Sequence, residues 1–350
     1  MEKVFGICRD GFLGHFIGDA MGVPYEFLPR EDRDIDPCTD MVGYGTHDMP
    51  PGTWSDDTSL TIAGIVGLII SLWNNENVPD NLEDMVDYEQ VMLSFARWFT
   101  LNDFTPYGQA WGIGFATLDA ITRYLNGATP LESGGVGERD NGNGSVMRLL
   151  PIILFVYFLS LNRDISLEEK MDIIHHYASL THRHKRSQMA CGIYAMITFE
   201  LLDARWYGDD NRGIESIIYE GLTNAINYYY GYDGRNEEWD EELPHFKLLL
   251  SRNVQHLPRE KIKSGGYVIS TIEASIWCLC NNDNYRDTIL EAVNLGYDTD
   301  TTACTVGALA GLYYGIENIP VNWINGLVQK DYLMNIVDSF SEELVKKMEE

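Results

Sequence analysis

Two long runs without charge, each opened by a pair of aspartates, constrain the fold of this chain more than any other feature. The quartet Ser55–Thr58 (Ser-Asp-Asp-Thr) precedes a run with no charged residue before Glu76. The quartet Asp298–Thr301 (Asp-Thr-Asp-Thr) precedes a run with none before Glu317. Both runs are rich in Gly, Ala, Ile, Leu and Thr, which predicts two buried helices. Ser, Thr and Asp are favoured at helix N-termini, so each quartet is placed at one.

Capping alone does not account for four aspartates. With 53 acidic residues in 350, adjacent pairs arise by chance, and capping by itself favours a structural role. Each quartet, however, carries one more carboxylate than a cap uses, and a buried carboxylate without a partner is costly. Divalent cations would relieve this cost, and an all-oxygen donor set suits Mg²⁺ or Mn²⁺ better than Zn²⁺. Six oxygens suffice for two ions about 3.5–4 Å apart, the spacing at which two metals act together.

The net charge of −28 restricts the partners of this chain. It argues against nucleic-acid binding and against docking on an anionic membrane, and it requires an anionic ligand to be held by local groups. The run 58–75 is nearly long enough to span a membrane, but its small polar residues and the preceding acids favour a buried helix. Six scattered cysteines without a CxxC pair are typical of a reduced, cytoplasmic protein.

The remaining sequence shows helical periodicity and no strand alternation, repeat or linker. It predicts an all-α single domain over residues 1–350, with a proline-containing loop over 28–52 and an exposed acidic insertion around 203–247. Glycines recur every fourth residue in the first helix and in the helix after the second quartet, and such stripes let another backbone approach closely. The two stripes are Gly14, Gly18, Gly22 and Gly307, Gly311, Gly315.

A glycine-rich segment, Ser133–Ser145, leads into an apolar helix. A loop of this kind can present backbone N–H groups to a phosphate, although its spacing matches neither the Walker nor the dinucleotide pattern. Thr181–Arg186 forms the basic cluster of this acidic chain. Asp19, in the middle of the first helix, is compatible with a hydrogen-bonding role or with metal ligation.

Six motifs together resemble the ADP-ribosylglycohydrolases, the group of the dinitrogenase reductase-activating glycohydrolases and their vertebrate relatives. They occur in the family's order and cover nearly the whole chain, which makes the resemblance specific. The motifs are Gly11–Glu26 (GFLGHFIGDAMGVPYE), Trp54–Thr58 (WSDDT), Asn143–Arg148 (NGSVMR), Thr181-His182, Ser264–Val268 (SGGYV) and Leu295–Thr301 (LGYDTDT).

The resemblance implies a compact, single-domain orthogonal helical bundle with a centre of two divalent cations, Mg²⁺ or Mn²⁺. The metal ligands that it implies are Ser55, Asp56, Asp57, Asp298, Asp300 and Thr301. It further implies that a loop cradles the diphosphate through backbone groups and that other residues line the substrate site. The loop residues are Asn143, Gly144, Ser145, Val146 and Met147, and the others are His182, Gly265, Tyr267, Gly296 and Tyr297. Tyr297 stands where the family often has Gly or Asp and is expected to narrow or line the ribose pocket.

The activity implied by the resemblance is hydrolysis of the bond between C1″ of ADP-ribose and an acceptor, with a protein arginine as first choice. The metals would orient the ribose and lower the pKa of a water molecule. Asp56 or Asp57 would steer that water or accept its proton, and Glu26, unless it is only a cap, would assist proton transfer. The substrate would be an ADP-ribosylated protein or a small ADP-ribosyl compound, and a monomer is expected.

Two other classes of function are compatible with the sequence. One is a non-catalytic module that binds ADP-ribose or a nucleotide, as lens-type relatives with this fold do without turnover. The other is a hydrolase of a different bond, such as a serine-linked or small-molecule ADP-ribosyl linkage, or a phosphohydrolase. The retention of all six candidate metal-binding oxygens favours an enzyme over a binding module.

Overall fold

The computed structural model describes residues 1–209, 212–231 and 236–350. Within these ranges the chain forms α-helices joined by loops and short 3-10 turns, with three isolated β-bridges and no strand, which confirms the all-α prediction. The helices are α1 (Glu2–Gly22), α2 (Arg30–Ile35), α3 (Asp56–Asn74), α4 (Tyr88–Leu101), α5 (Phe115–Leu125), α6 (Pro130–Ser133), α7 (Leu150–Ser160), α8 (Leu167–Ser179), α9 (Lys185–Tyr207), α10 (Ile214–Tyr230), α11 (Lys247–Leu250), α12 (Val268–Cys280), α13 (Tyr285–Asn294), α14 (Thr299–Tyr314), α15 (Val321–Gly326) and α16 (Lys330–Met348).

The two uncharged runs form α3 and α14, and both helices are buried over most of their length. Ser55 is the N-cap of α3, where its hydroxyl accepts a hydrogen bond from the backbone N–H of Asp57 at 3.2 Å. Asp298 is the N-cap of α14. By length and composition α3 could cross a membrane, but 83% of its most apolar window is buried inside the protein, as in the core helices of soluble proteins.

The glycine stripes bring α1 and α14 into close contact. A Cβ placed on Gly14 would lie 2.9 Å from the Cα of Gly311, and one on Gly18 would lie 2.9 Å from the Cα of Cys304. A Cβ on Gly22 would come closer than 3.0 Å to the backbone of Asp300. The helices approach this closely because these positions carry no side chain. Gly315 does not join the stripe, since it ends α14 with a φ of +81°.

Other helices pack around this pair. α3 and α16 lie on one side, with α4 against α3, and α12 and α13 lie against α14. α9 packs against α8 and α10. The loop over 28–52 contains the short helix α2, which the sequence does not predict. The arrangement brings the last turn of α1 and the first turns of α3 and α14 to one place.

The described part of the range 203–247 differs from the expected exposed insertion. Its helix α10 packs against α9, and the apolar side chains of Trp239, Leu243 and Phe246 are buried. These apolar residues lie between the acidic ones and attach the segment to the core. Positions 210–211 and 232–235 lie outside the described residues.

Candidate metal centre and substrate cavity

The two quartets meet at a cavity of 390 Å³. One end of it is acidic, and the other is formed by the glycine-rich segment, the start of α5 and His182. The lining residues are Glu26, Phe27, Asp56, Asp57, Gly112, Ile113, Gly114, Phe115, Ala116, Thr117, Arg139, Gly142, Asn143, Gly144, Met147, His182, Gly266, Asp298, Asp300 and Thr301. The sequence motifs that are far apart along the chain therefore form one site.

The start of α3 holds two carboxylates in different ways. Asp57 accepts a hydrogen bond from the Ser55 hydroxyl at 3.1 Å and another from the Cys304 thiol at 2.9 Å. Burial raises the pKa of that thiol well above its ordinary value, so it remains a donor. Asp56 has no side-chain donor among the described residues and faces Gly112, where a Cβ would come closer than 3.0 Å to its Oδ1. Asp57 is fixed by the protein, whereas Asp56 is open to the cavity.

Asp19 links α1 to the start of α3. Its carboxylate accepts the backbone N–H of Ser55 and of Thr58, each at 3.0 Å. It therefore caps α3 from another helix, in addition to the cap that Ser55 provides. Asp19 is fully buried, and burial raises the pKa of its carboxyl to about 6. Both interpretations of Asp19 remain compatible with the structure, because its oxygens also lie near those of Asp57 and Asp300.

The start of α14 contributes two further carboxylates. Asp300 Oδ1 accepts the backbone N–H of Thr301 at 2.9 Å. Asp298 Oδ2 accepts a hydrogen bond from Asn143 Nδ2 at 2.9 Å, and the same amide nitrogen donates to the Thr271 hydroxyl at 3.0 Å. Asn143 thus joins the acidic centre to the glycine-rich segment.

These aspartates have no positive partner among the described residues. None of Asp19, Asp56, Asp57, Asp298 and Asp300 forms an ion pair there with Lys, Arg or His. Burial, reinforced by the neighbouring carboxylates, raises the pKa of Asp56, Asp57 and Asp300 well above the ordinary value. Burial also raises the pKa of Asp298, and the Asn143 amide opposes this effect. The ionised cluster is stable only with added positive charge.

The oxygens of the cluster fit two divalent cations. Asp19, Asp57 and Asp300 each offer an oxygen within 4.8 Å of the others, and so do Glu26, Asp298 and Asp300. The two groups share Asp300, so they describe two adjacent positions. Carboxylates without sulfur or nitrogen ligands are typical of Mg²⁺ or Mn²⁺. Asp56, which the sequence also predicts as a ligand, is in neither group of carboxylates. The hydroxyl residues Ser55 and Thr301 stay predicted ligands, next to Asp56 and Asp300 in the sequence.

Glu26 is held at the rim of the cavity by a histidine. His47 Nε2 lies 2.5 Å from Glu26 Oε2, and the His47 ring contacts that of Trp111, with 5.0 Å between their centroids. Burial raises the pKa of Glu26, and the hydrogen bond to His47 opposes the shift. No sequence pattern selects His47, because it lies in a loop without periodicity.

The loops at the other end of the cavity pair with one another. Asn143 N–H donates to the Gly266 carbonyl at 3.1 Å, and Gly142 forms an isolated bridge with Tyr267. Gly135 forms a second bridge, with His182. This pairing places the glycine-rich segment against the motif that contains His182.

Comparison with known proteins agrees with this geometry. A sequence model described as ADP-ribosylglycohydrolase matches residues 3–350. The chain belongs to the ADP-ribosylglycohydrolase family. It is 28% identical to the ADP-ribosylarginine hydrolase Tri1 of Serratia proteamaculans (strain 568), over 94% of this chain and 77% of that protein.

Two further relatives of this ADP-ribosylglycohydrolase chain cover it almost completely. The ADP-ribosyl-(dinitrogen reductase) glycohydrolase of Rhodospirillum rubrum is 25% identical over 91% of this chain and 89% of that protein. A solved structure of an ADP-ribosylglycohydrolase-related protein complex superimposes with a TM-score of 0.70 at 24% identity, covering 98% of this chain and all of the other. The structural likeness supports the all-α fold.

Several substrate residues implied by the family resemblance do not line the main cavity. Ser145 and Val146 are buried behind the loop, where Ser145 Oγ accepts a hydrogen bond from the Cys191 thiol at 3.4 Å. Gly265 and Tyr297 line a different cavity, together with residues of α2. Tyr297 has a φ of +64°, and its backbone pairs with that of Leu28. Tyr297 lines this outer cavity and not the cavity at the aspartates.

Two other predicted residues lie beside the cavity. Gly296, with a φ of +76°, packs against the backbone at the start of α2. Tyr267 is 38% exposed next to the paired loops. Conversely, the segment 112–117 and Arg139 line the cavity but carry no motif that the sequence could reveal. Gly112 and Thr117 are placed there only by the packing of α5.

Proposed function

We propose that this protein hydrolyses the bond between C1″ of ADP-ribose and an arginine side chain of a modified protein, with two divalent cations. The observation that carries the proposal is the cluster of five aspartates without a positive partner among the described residues, beside a glycine-rich loop in one cavity. Membership of the ADP-ribosylglycohydrolase family supports an ADP-ribosyl bond as the bond that is cleaved. The arginine acceptor is supported by the name of the Serratia relative.

The acidic end of the cavity suits the chemistry of this bond. Divalent cations bound there would supply Lewis acidity for orienting ribose hydroxyls and activating a water molecule. Positive charge that develops at C1″ as the bond breaks is stabilised by the surrounding carboxylates. Asp19, Asp57 and Asp300 form the inner group, and Asp57 is kept in place by Ser55 and Cys304.

Asp56 is the best-placed group to take the proton of the attacking water. It lines the cavity and has no side-chain hydrogen-bond donor among the described residues, so its carboxylate is free to accept a proton. In the reaction the water oxygen bonds to C1″ and the bond to the guanidino nitrogen breaks. One water proton leaves to the base, and the departing nitrogen gains a proton. Glu26, positioned by His47, lies at the rim for this second transfer.

The decisive experiment compares the wild-type protein with Asp300→Ala and with Glu31→Ala. Asp300 belongs to both oxygen groups, so its loss is expected to reduce release of ADP-ribose from an arginine-modified protein by at least about a hundredfold. Glu31 lies in the short helix α2, away from the main cavity. If Asp300→Ala retains metal-dependent turnover, the proposal is wrong.

A panel of defined substrates separates the alternatives. Arginine-, serine- and small-molecule-linked ADP-ribose are assayed with Mg²⁺ and with Mn²⁺, and the products are identified. If the protein turns over only the serine-linked substrate, serine replaces arginine as the acceptor in the proposal. AMP and ribose phosphate as products would indicate a phosphohydrolase. Thermal stabilisation by ADP-ribose without turnover of any substrate would identify a binding module.

A further inference from the structure

Arg148 is a fully buried arginine without an acidic partner. Arg148 comes three residues after the glycine-rich segment, and its side chain is 0% exposed. No carboxylate among the described residues forms an ion pair with it. The guanidinium lies between the rings of Phe95 and Tyr177, with its Cζ 4.6 Å and 5.0 Å from the ring centroids. Its Nε has no hydrogen-bond partner in the part of the chain that the structure describes.

Such a residue needs an explanation, because a buried charge that is not paired destabilises a protein strongly. Cation–π contacts recover only part of that cost. Arginine does not lose its proton in proteins, so the positive charge remains behind the loop. This charge is separated from the cavity by Thr181 and His182, in a protein whose net charge is −28.

The guanidinium is connected to the cavity by two hydrogen bonds. Arg148 Nη2 donates to the Thr181 hydroxyl oxygen at 2.6 Å. The same hydroxyl lies 2.8 Å from His182 Nδ1. The His182 ring lines the cavity, and its Nε2 forms no hydrogen bond with any described residue. Gly144 passes the ring so closely that a Cβ there would lie 2.9 Å from His182 Cε1.

The direction of these hydrogen bonds follows from the chemistry of the donors. Arginine can only donate, so the Thr181 oxygen accepts. The Thr181 hydroxyl hydrogen has one acceptor among the described residues, His182 Nδ1. If His182 Nδ1 carried a proton instead, the hydroxyl hydrogen would be buried without a partner, which is costly. Burial and the nearby guanidinium lower the pKa of His182 to about 3, so the ring is neutral and its proton is on Nε2.

We propose that Arg148 and Thr181 are positioning residues that fix His182 as an Nε2–H donor directed at the diphosphate of the substrate. The proposal rests on the proposed function only for the identity of the ligand. It explains why a charged residue is buried without a carboxylate at this place. It also explains how the cavity of an acidic protein provides a directed donor for an anion in addition to Arg139, an exposed cation in its lining.

The tautomer of His182 is measured directly in the full-length protein. Histidine labelled with ¹⁵N is introduced, and two-bond ¹H–¹⁵N correlations are recorded near neutral pH, with His182→Gln used to assign the signals. The expected result is a protonated Nε2 and an unprotonated Nδ1 in the wild-type protein. A proton on Nδ1 would overturn the proposal. The tautomer is determined in the wild-type protein, and His182→Gln serves only to assign its signals.

Two substitutions at Thr181 provide the matched pair. Thr181→Val removes the hydroxyl at nearly constant volume, and Thr181→Ser retains it. In Thr181→Val we expect His182 to populate both tautomers. ADP-ribose binding is expected to weaken by about tenfold, which corresponds to the lower bound of the free energy of a hydrogen bond to a charged group. Thr181→Ser is expected to retain the wild-type tautomer and affinity. Equal affinities of the two variants for ADP-ribose, measured by calorimetry with Mg²⁺ present, would refute the relay, by which we mean the hydrogen-bonded series Arg148, Thr181 and His182.

Arg148→Met tests the first residue of the relay. It is expected to behave as Thr181→Val does, since the Thr181 oxygen is then free to accept a proton from Nδ1. A folded Arg148→Met protein with the wild-type tautomer would remove Arg148 from the proposal. If the wild-type protein shows the Nε2–H tautomer and binds ADP-ribose but hydrolyses no ADP-ribosyl bond, the proposed function fails while the relay stands. If the wild-type protein turns over an ADP-ribosyl substrate while His182 carries its proton on Nδ1, the proposed function stands and the role of Arg148 and Thr181 is refuted.

Discussion

Gly22→Ala tests whether the close approach of α1 and α14 builds the metal centre. Gly22 ends α1 in a right-handed helical conformation, with φ of −81° and ψ of −35°. Alanine can adopt this conformation without strain, so any effect comes from the added methyl group. That methyl group would meet the backbone of Asp300 and Thr299, at the first turn of α14. Backbone atoms cannot move aside as the end of a flexible side chain can.

The size of the effect follows from the distances. The two helix ends must separate by about 1 Å before the new contact reaches the ordinary distance of 3.4 Å. Overpacking of this kind typically costs about 1–3 kcal/mol of the free energy of unfolding. A misplacement of about 1 Å at a catalytic group can reduce turnover by about a hundredfold. Asp300 belongs to both oxygen groups, so its displacement is expected to weaken binding of both cations.

Gly6→Ala, in the same helix, is the control. Gly6 is exposed, and a Cβ there meets nothing within 4 Å, so the substitution is expected to stabilise the protein by about 0.5–1 kcal/mol through helix propensity. Both variants are compared by denaturant unfolding, Mg²⁺ titration and release of ADP-ribose. Equal Mg²⁺ affinity and turnover in Gly22→Ala and Gly6→Ala would refute the argument that helix packing positions Asp300.

Three further results are expected. Burial raises the pKa of Asp19 from 3.8 to about 6, so its contribution to stability without metal is present below about pH 4 and is lost as pH rises through 6. Thermal unfolding with EDTA should therefore show a less stable protein at pH 8 than at pH 5, and Mg²⁺ should restore stability mainly at pH 8; equal effects at both pH values would contradict this. Gly144→Ala places a methyl group 2.9 Å from the side chains of His182 and Thr117. It should raise KM for ADP-ribosyl substrates about tenfold with little change in kcat. Gly213→Ala, where a Cβ meets no described atom within 4 Å, should change neither constant. Arg186→Met removes the arginine partner of the buried Glu242, which keeps His184 Nδ1 at 3.8 Å, and should lower the free energy of unfolding by about 1.5–3 kcal/mol, as for a lost hydrogen bond to a charged group. Lys185→Met, at an exposed ion pair, should lower it by no more than about 1 kcal/mol. Similar losses in the two variants would show that the Arg186 pair is not effectively buried.

The helices that build the centre were predictable because their signals are local. The long uncharged runs predict α3 and α14, and the hydroxyl and acidic residues before them predict the caps. Glycines at four-residue spacing predict that α1 and another helix approach closely. The sequence also shows that Ser55–Thr58 holds more acid than a cap requires. These inferences depend on periodicity and composition within about 20 residues.

The features that the sequence did not reveal depend on contacts between distant segments. Asp19 caps α3 from α1, and no pattern within α1 could show which N–H groups it accepts. His47 and Gly112 reach the cavity from loops without periodicity. Tyr297, which the family resemblance places at the ribose pocket, has a left-handed backbone and lines a cavity beside α2, separate from the one at the aspartates. The fold class was therefore accessible from the sequence, whereas side-chain direction at the loops required the structure.

The electrostatic difference between the two ends of the cavity determines how ADP-ribose can lie in it. The acidic end repels a diphosphate unless cations are bound, while the other end offers the buried charge of Arg148, the His182 ring and the exposed guanidinium of Arg139. Asn143 connects the two ends, because its amide donates to Asp298 while its backbone belongs to that loop. If the proposed function holds, we therefore expect the diphosphate at the His182 end and the terminal ribose at the aspartates, with C1″ beside Asp56 and the acceptor departing past Glu26. This expected orientation does not depend on which acceptor the ribose carries.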